Sequence, residues 1–492
     1  MTILEQAAQN IQQHNLTAAQ QCYLQVLQAQ PANGKALYGL GYIAQLRQDW
    51  PTAIKYLQRA CQFLPQQPAP LLGLANAFNQ VFSETDALTV LEYAKQQCPA
   101  DESIQYALTQ QYLIMGDITE ATSLLNNLLA SSNPELFAFA CLDAAKINTE
   151  LLQPSHLARA QLLVAEQPQH SASIRLHYAL GLIAKHCKQY EQAMFHWDAA
   201  NALQFAECDF TVHDMASLFD SLLSVNASTS LSNENMGFHD SSLPFIPVFI
   251  VGLPRTGSSL LDKQLCDLST KSQQISSVGE VDYVASQCVQ MIKQLTGYDY
   301  PECLEHMSNE VCHAARQRYV DAISQHRIKA DFIIDKLPAN FQSLPLIYRL
   351  FPDAKVLHLK RDLAATALSI YSNDFGAAEP YFCNLVQMQQ YFEWYERIMK
   401  YFETVYSKNI YSLTYEQFIN APHEQLKKIS RFIGIDQTYK TMEQEDVNRP
   451  HIIKTLSAAE ARQPIYRSSS AIPDELAKYF IFTGEGVTDV TR

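Results

Sequence analysis

Glycine is scarce in this sequence, 15 of 492 residues, under half the usual ~7%. That argues against a turn-dense all-β protein and for a helix-rich one. No apolar run approaches the ~18 residues needed to span a bilayer; the best, LPFIPVFIVGLP at 243–254, contains three prolines. The first residues, MTILEQAAQNIQQHN, lack the basic start and apolar stretch of a secretory signal. Eleven cysteines form no C-x-x-C pair and no metal spacing, so free thiols in a reducing compartment are expected. His239, His313, His358 and His451 show no ligand spacing either and are expected to be structural. These absences predict a soluble, cytoplasmic chain with no membrane span.

Basic residues are sparse in the first half. Residues 1–240 hold 10 of the 36 Lys and Arg but 21 of the 50 Asp and Glu, a net charge of −11, against −3 for the remainder. So acidic a chain is unsuited to non-specific nucleic-acid binding, and an anionic ligand should be sought in the C-terminal half. What is plentiful is apolar material, 47% hydrophobic against 17% charged. That is enough for folded cores, and the length suggests two to four domains at roughly 100–200 residues each.

The first half repeats itself. Leu37, Leu40, Gly41, Ala44, Ala53, Leu57, Ala60 and Pro65 recur 34 residues later as Leu71, Leu74, Ala75, Phe78, Ala87, Leu91, Ala94 and Pro99. The frame extends back through Ala19, Tyr23 and Pro31 and forward through Leu108, Ala121 and Leu128. It degenerates around 136–168 and returns at Leu180, Gly181, Ala184, Ala193, Trp197 and Ala200. This spacing resembles the tetratricopeptide repeat, a pair of antiparallel helices packed through small residues at positions 8 and 20. Such an array either offers a concave surface to a peptide or subunit, or caps the domain that follows it. Residues 225–243, rich in Ser and Asn without apolar period, read as a linker.

Beyond the linker the pattern turns α/β. VFIVG (248–252), DFIID (331–335) and KVLHL (355–359) are short apolar runs separated by helical stretches, which suggests a parallel sheet. The first run leads into Gly252-Leu-Pro-Arg-Thr-Gly257-Ser-Ser, two glycines five apart followed by hydroxyl residues. Glycine lets the backbone turn tightly, so that amides at a helix N-terminus can cradle a phosphate. A nucleotide triphosphatase would carry Lys where this chain has Ser258; here the cation is Arg255, inside the loop. On a helix, Arg361 and Ser369 lie eight residues apart, just over two turns, so both can face one phosphate.

Pro254-Arg255-Thr256-Gly257-Ser258-Ser259 resembles the PRSGTT loop of PAPS-dependent sulfotransferases. With the repeats, the chain resembles bacterial tetratricopeptide-repeat sulfotransferases related to tyrosylprotein sulfotransferases. The resemblance continues in order through SVGEVDYV, DKLPANF, KRDLAATALSIYSNDF, SLTYEQFI and TLSAAEARQPIY. It implies a helical repeat domain over 1–225 and a P-loop-like α/β sulfotransferase domain with a parallel sheet over 245–492. It also implies PAPS as co-substrate, no metal, and an acceptor hydroxyl on a protein tyrosine, a glycan or a small molecule. By resemblance, residues 254–259 bind the phosphosulfate and Glu280 is the catalytic base. Lys336 and Arg255 serve the transferring group, Arg361 and Ser369 bind the 3′-phosphate, and Tyr415 and Ser457 complete the cofactor pocket.

Departures from the pattern include Leu363 where proline is usual and Glu460-Ala461 for Gln-Val. RSSSAIPDEL also stands in place of the usual basic stretch after Tyr466. A P-loop kinase, distinguished by Mg²⁺ dependence, and a non-catalytic repeat scaffold with a decayed second domain are the alternatives.

Overall fold

The structure, a computed structural model, describes residues 2–206, 212–229, 243–270, 272–326, 328–376, 379–435 and 472–481. Two compact units are present: Met1–Ala140 with Ser324–Arg327, and Cys141–Ile323 with Ile328–Arg492. No described helix is long and apolar enough to cross a membrane. All ten described cysteines are free, five of them buried and Cys187 exposed.

The first unit is built of helix pairs. They are α1 (Ile3–Gln12) with α2 (Leu16–Ala29), α3 (Gly34–Leu46) with α4 (Trp50–Phe63), α5 (Pro68–Gln80) with α6 (Glu84–Gln97), and α7 (Glu102–Met115) with α8 (Ile118–Leu128). Then α9 (Pro134–Ile147) begins. Thr2, Asn15, Asn33, Asp49, Asp101 and Asp117 each accept the backbone N–H three residues on, caps worth about 1 kcal/mol apiece. The 34-residue period is the packing itself. Leu37, Leu40, Ala53, Leu57 and Ala60 are buried, as are Leu71, Leu74, Ala87, Leu91 and Ala94 one period later. A Cβ on Gly41 would sit 2.6 Å from Leu57 Cγ, which is why this position stays small.

The second unit opens with α10 (Pro154–Glu166), α11 (Ser171–His186) and α12 (Tyr190–Ala206). The last two restore the repeat: Ala193, Trp197 and Ala200 are fully buried, and a Cβ on Gly181 would lie 2.3 Å from the Trp197 indole nitrogen. Then α13 (Val212–Thr229) runs five residues into the expected linker. Phe219 and Leu222 are buried, which anchors this helix and carries its Ser/Asn tail for a further turn; residues 230–242 lie outside those described.

Five strands follow: β1 (Ile246–Gly252), β2 (Ile275–Ser277), β3 (Phe332–Lys336), β4 (Lys355–Lys360) and β5 (Ile410–Thr414). They form one parallel sheet in the order β2-β3-β1-β4-β5. Helices α14 (Ser258–Cys266), α15 (Val289–Thr296), α16 (Asn309–Ser324), α17 (Leu344–Leu350), α18 (Leu363–Tyr371), α19 (Leu385–Val405), α20 (Tyr415–Asn420) and α21 (Pro422–Ile433) complete the unit. Val248, Ile250, Leu261, Ile334, Leu357 and Leu359 belong to one buried cluster. The central strand β1 is apolar along its whole length because a parallel sheet is covered on both faces.

A buried histidine interrupts β4. His358, in the middle of β4, is 1% exposed. Its Nδ1 lies 2.7 Å from Glu403 Oε1 and its Nε2 2.5 Å from the Tyr395 hydroxyl. Burial lowers the histidine's pKa, while hydrogen bonding, chiefly to His358, pulls Glu403 down to about 2. A neutral imidazole donating to Glu403 and accepting from Tyr395 satisfies all three groups. The Tyr395 hydroxyl in turn receives the Leu253 N–H, next to the phosphate loop. His358 is structural, as its lack of ligand spacing suggested.

Candidate active site at the carboxyl ends of the strands

A parallel sheet presents its ligand site beyond the carboxyl ends of its strands, and β1 leaves the sheet there at Gly252. The loop to α14 is closed by Thr256, whose hydroxyl donates to the Leu253 carbonyl at 2.8 Å. Arg255 adopts φ +66°, a left-handed conformation rare for a side-chain-bearing residue, and costs of order 1–3 kcal/mol. Its surroundings hold it there. Arg255 Nε donates to Ser369 Oγ at 2.9 Å, and the Arg255 carbonyl accepts from Arg361 Nη1 at 2.8 Å. Arg361, in the turn before α18, and Ser369, on that helix, thus both contact the loop arginine.

Gly257 (φ +92°) caps α14 and opens its N-terminus, with Ser258 and Ser259 as the first helical residues. The four leading amides of a helix have no partner within it and carry positive potential. The Tyr415 ring lies against Gly257 on one side and 5.0 Å beneath the Arg361 guanidinium on the other. A Cβ at position 257 would come within 2.5 Å of that ring. Gly257→Ala is therefore expected to displace either the loop or Tyr415 and to destabilise the fold by about 1–3 kcal/mol, which thermal unfolding measures.

The opposite side of the site is set by a second turn. After β2, Ser277 Oγ donates to Asp262 Oδ2 at 3.0 Å and accepts the Gly279 N–H at 2.9 Å, while the Gly279 carbonyl accepts from the Lys336 amide. Gly279 takes φ +65°, and the chain turns so that Glu280 Oε1 meets Lys336 Nζ at 2.5 Å. Lys336 ends β3 and is 1% exposed; its ammonium also lies 3.4 Å from Ser259 Oγ. One buried cation therefore links the carboxylate to the start of the phosphate-loop helix.

Asp335, beside it, points elsewhere. It is fully buried and accepts from Tyr319 OH at 3.0 Å and Asn340 Nδ2 at 2.9 Å. Burial pushes its carboxyl up to about 7 against the pull of those two donors. It is neither an ion pair with Lys336 nor placed like the metal-binding aspartate of a nucleotide triphosphatase.

Arg255, Ser258, Ser259, Glu280, Leu337, Phe375, Glu379 and Tyr391 are among the residues that line a cleft of about 250 Å³. Ser457 and Glu460-Ala461 lie outside the described residues. The unusual Leu363 is accommodated because Asp362 caps α18, accepting the Ala365 N–H at 2.8 Å. Glu379 carries no motif, and Phe375, the last residue of KRDLAATALSIYSNDF, and Tyr391 have no role assigned from the sequence. All three come from the chain between the end of α18 and the first turns of α19.

Residues 247–439 match the sulfotransferase family, and residues 10–68 match the tetratricopeptide repeat. The second half of the chain thus carries a sulfotransferase-like domain. Among solved structures, the sulfotransferase domain of the Synechococcus PCC 7002 olefin synthase is 20% identical, covering 49% of this chain and 96% of that one at a TM-score of 0.29. Sulfotransferase STF1 of Mycobacterium tuberculosis H37Rv is 13% identical, covering 68% and 99% at a TM-score of 0.27. An Aquifex aeolicus (strain VF5) protein described as uncharacterized is 25% identical over 393 residues, 78% of this chain and 50% of its own. The chain spans about half the length of that relative. In this sulfotransferase-like domain the loop, Glu280, Lys336, Arg361, Ser369 and Tyr415 all gather at one end of the sheet.

Proposed function

We propose that this protein transfers a sulfuryl group from PAPS to an acceptor hydroxyl. The observation that carries the reading is the position of Lys336, whose ammonium touches Glu280 at 2.5 Å and Ser259 at 3.4 Å. Base, cation and anion cradle are brought together without a triphosphatase lysine at position 258.

PAPS supplies an activated sulfuryl group and leaves as adenosine 3′,5′-bisphosphate. The α14 amides, Ser258, Ser259 and Arg255 hold its 5′ end, and Arg361 and Ser369 its 3′-phosphate. Tyr415 packs behind both loops. Glu280 takes the acceptor O–H proton as the new O–S bond forms and the bond from sulfur to the bridging oxygen breaks. Lys336 and Arg255 offset the charge that develops on that oxygen and on the sulfuryl oxygens. The repeat helices are assigned to holding a protein or subunit partner.

Thermal unfolding with ligands tests the reading. Adenosine 3′,5′-bisphosphate at about 100 times its Kd should add about 2.7 kcal/mol, and ATP or AMP less. A larger response to Mg·ATP would favour a kinase. Arg361→Ala should weaken the bisphosphate about 10–100-fold, since hydrogen bonds to charged groups are worth ~1.5–3 kcal/mol. AMP should lose less, though not nothing, because Arg361 also holds the Arg255 carbonyl. Equal losses for both ligands would remove Arg361 from the 3′-phosphate site.

A further inference from the structure

The cleft that Glu280 lines holds a second carboxylate, Glu379. Its polar contact among the described residues is the Tyr381 hydroxyl, which donates at 3.1 Å. That tyrosine is fixed in turn: its ring stacks on Tyr391 with centroids 4.3 Å apart and planes 8° apart, and Tyr391 OH accepts from Gln342 at 3.1 Å. No cation pairs with Glu379 among the described residues. Burial and the nearby negative charge of Glu280 both raise its pKa, a sign that two like charges face the same small space. Among the described residues, the basic groups at the cleft are already engaged. Lys336 holds Glu280, and Arg255 is bonded to Ser369 at the donor side. The wall beside Glu379 is apolar and partly aromatic, through Leu337, Phe375 and Tyr391. At about 250 Å³ the cleft falls below the ~300–1,000 Å³ of ordinary ligand pockets.

From this arrangement we infer that the acceptor is a small, flat hydroxylated amine, with its hydroxyl at Glu280, its apolar body against Phe375 and Tyr391, and its ammonium group on Glu379. The inference rests on the sulfotransferase reading above and specifies the acceptor of that same site. A cationic acceptor supplies the charge that Glu379 lacks and relieves its repulsion with Glu280. An anionic acceptor would add a third negative group to the same space, which complementarity of potential disfavours.

Calorimetry on the full chain, saturated with adenosine 3′,5′-bisphosphate, tests this with three phenols of similar size. They are tyramine, neutral 4-propylphenol and anionic 4-hydroxyphenylacetate. Tyramine is expected to bind about 10–100-fold more tightly than the neutral phenol, the anion most weakly, and Glu379→Gln to abolish the difference. In that variant the bisphosphate affinity should be unchanged, which reports that the domain is folded. Failure of the bisphosphate to bind the wild-type chain would overturn the sulfotransferase reading itself. Bisphosphate binding without tyramine binding, with equal or reversed preference, or with a preference that survives in Glu379→Gln, would overturn the acceptor assignment alone. The wild-type ranking decides the matter even if the variant does not fold.

Discussion

Glu280→Gln is expected to lower kcat by about 10²–10⁴-fold, the usual contribution of a general base, while leaving bisphosphate affinity within about threefold. Glutamine keeps the shape and can still accept from Lys336, but it cannot take the acceptor proton. The substitution also has a cost in the ligand-free protein. Lys336 is 1% exposed and loses its counter-ion, and breaking a fully buried pair costs about 3–5 kcal/mol. The Glu280 side chain is 40% exposed, so solvent screening places the cost well under that figure. The variant should therefore unfold at a lower temperature than wild type when empty. It should recover part of the difference with bisphosphate bound, because the ligand's negative charge replaces the carboxylate. The assay must have chemistry as its slow step, shown by a single-turnover rate matching kcat. A near-wild-type kcat under that condition would take Glu280 out of the mechanism and leave the base unassigned.

Much of this architecture is legible in the sequence because it is written in local or periodic signals. The 34-residue period survives translation into structure because each small residue, such as Gly41 or Gly181, faces one large partner a fixed distance along, Leu57 or Trp197. The apolar runs at 248–252, 331–335 and 355–359 became strands because a buried parallel sheet asks for continuous hydrophobicity. Gly279 before Glu280 announced a turn, and the turn is there, at φ +65°.

What could not be read is non-local and polar. Nothing in the sequence shows that Asp335 and Lys336, adjacent on one strand, face different environments. Strand alternation sends one to Tyr319 and Asn340 and the other into the cleft. Nor does Glu379 show beforehand that it faces the cleft, because its place depends on how the chain between α18 and α19 folds back. Phosphate-site residues resolved less directly than their spacing suggested. Arg361 precedes α18 rather than lying on it with Ser369, and both residues fasten Arg255.

Truncation at residue 243, the boundary that the change of sequence pattern suggests, is expected to yield a chain that does not fold cooperatively. The last helix pair of the repeat frame is fastened to the sulfotransferase domain by buried polar bonds. Asn201 Nδ2 donates to the Tyr371 carbonyl at 2.9 Å, Gln204 Nε2 to Asp374 Oδ1 at 2.5 Å, and Tyr371 OH to Asp198 Oδ1 at 2.8 Å. Phe219 of α13 adds an aromatic contact to Phe341, Tyr391 and Trp394, at centroid separations of 6.1, 5.8 and 5.9 Å. Removing these partners exposes an apolar face and strips the Tyr371–Asp374 segment, which follows Ser369 and precedes Phe375 of the cleft. Losing a buried aromatic costs about 3–5 kcal/mol, and each orphaned buried polar group about 1–3 kcal/mol. Together these rival the ~5–15 kcal/mol by which a whole domain is stable. A chain beginning at Asn148, which keeps α10 through α13, should by contrast unfold in one cooperative transition and bind bisphosphate with wild-type affinity. Thermal unfolding followed by circular dichroism, with and without bisphosphate, separates the two outcomes. If the chain beginning at residue 243 melted cooperatively at the wild-type temperature, the contacts of Asn201, Gln204 and Phe219 would be incidental to the domain's stability.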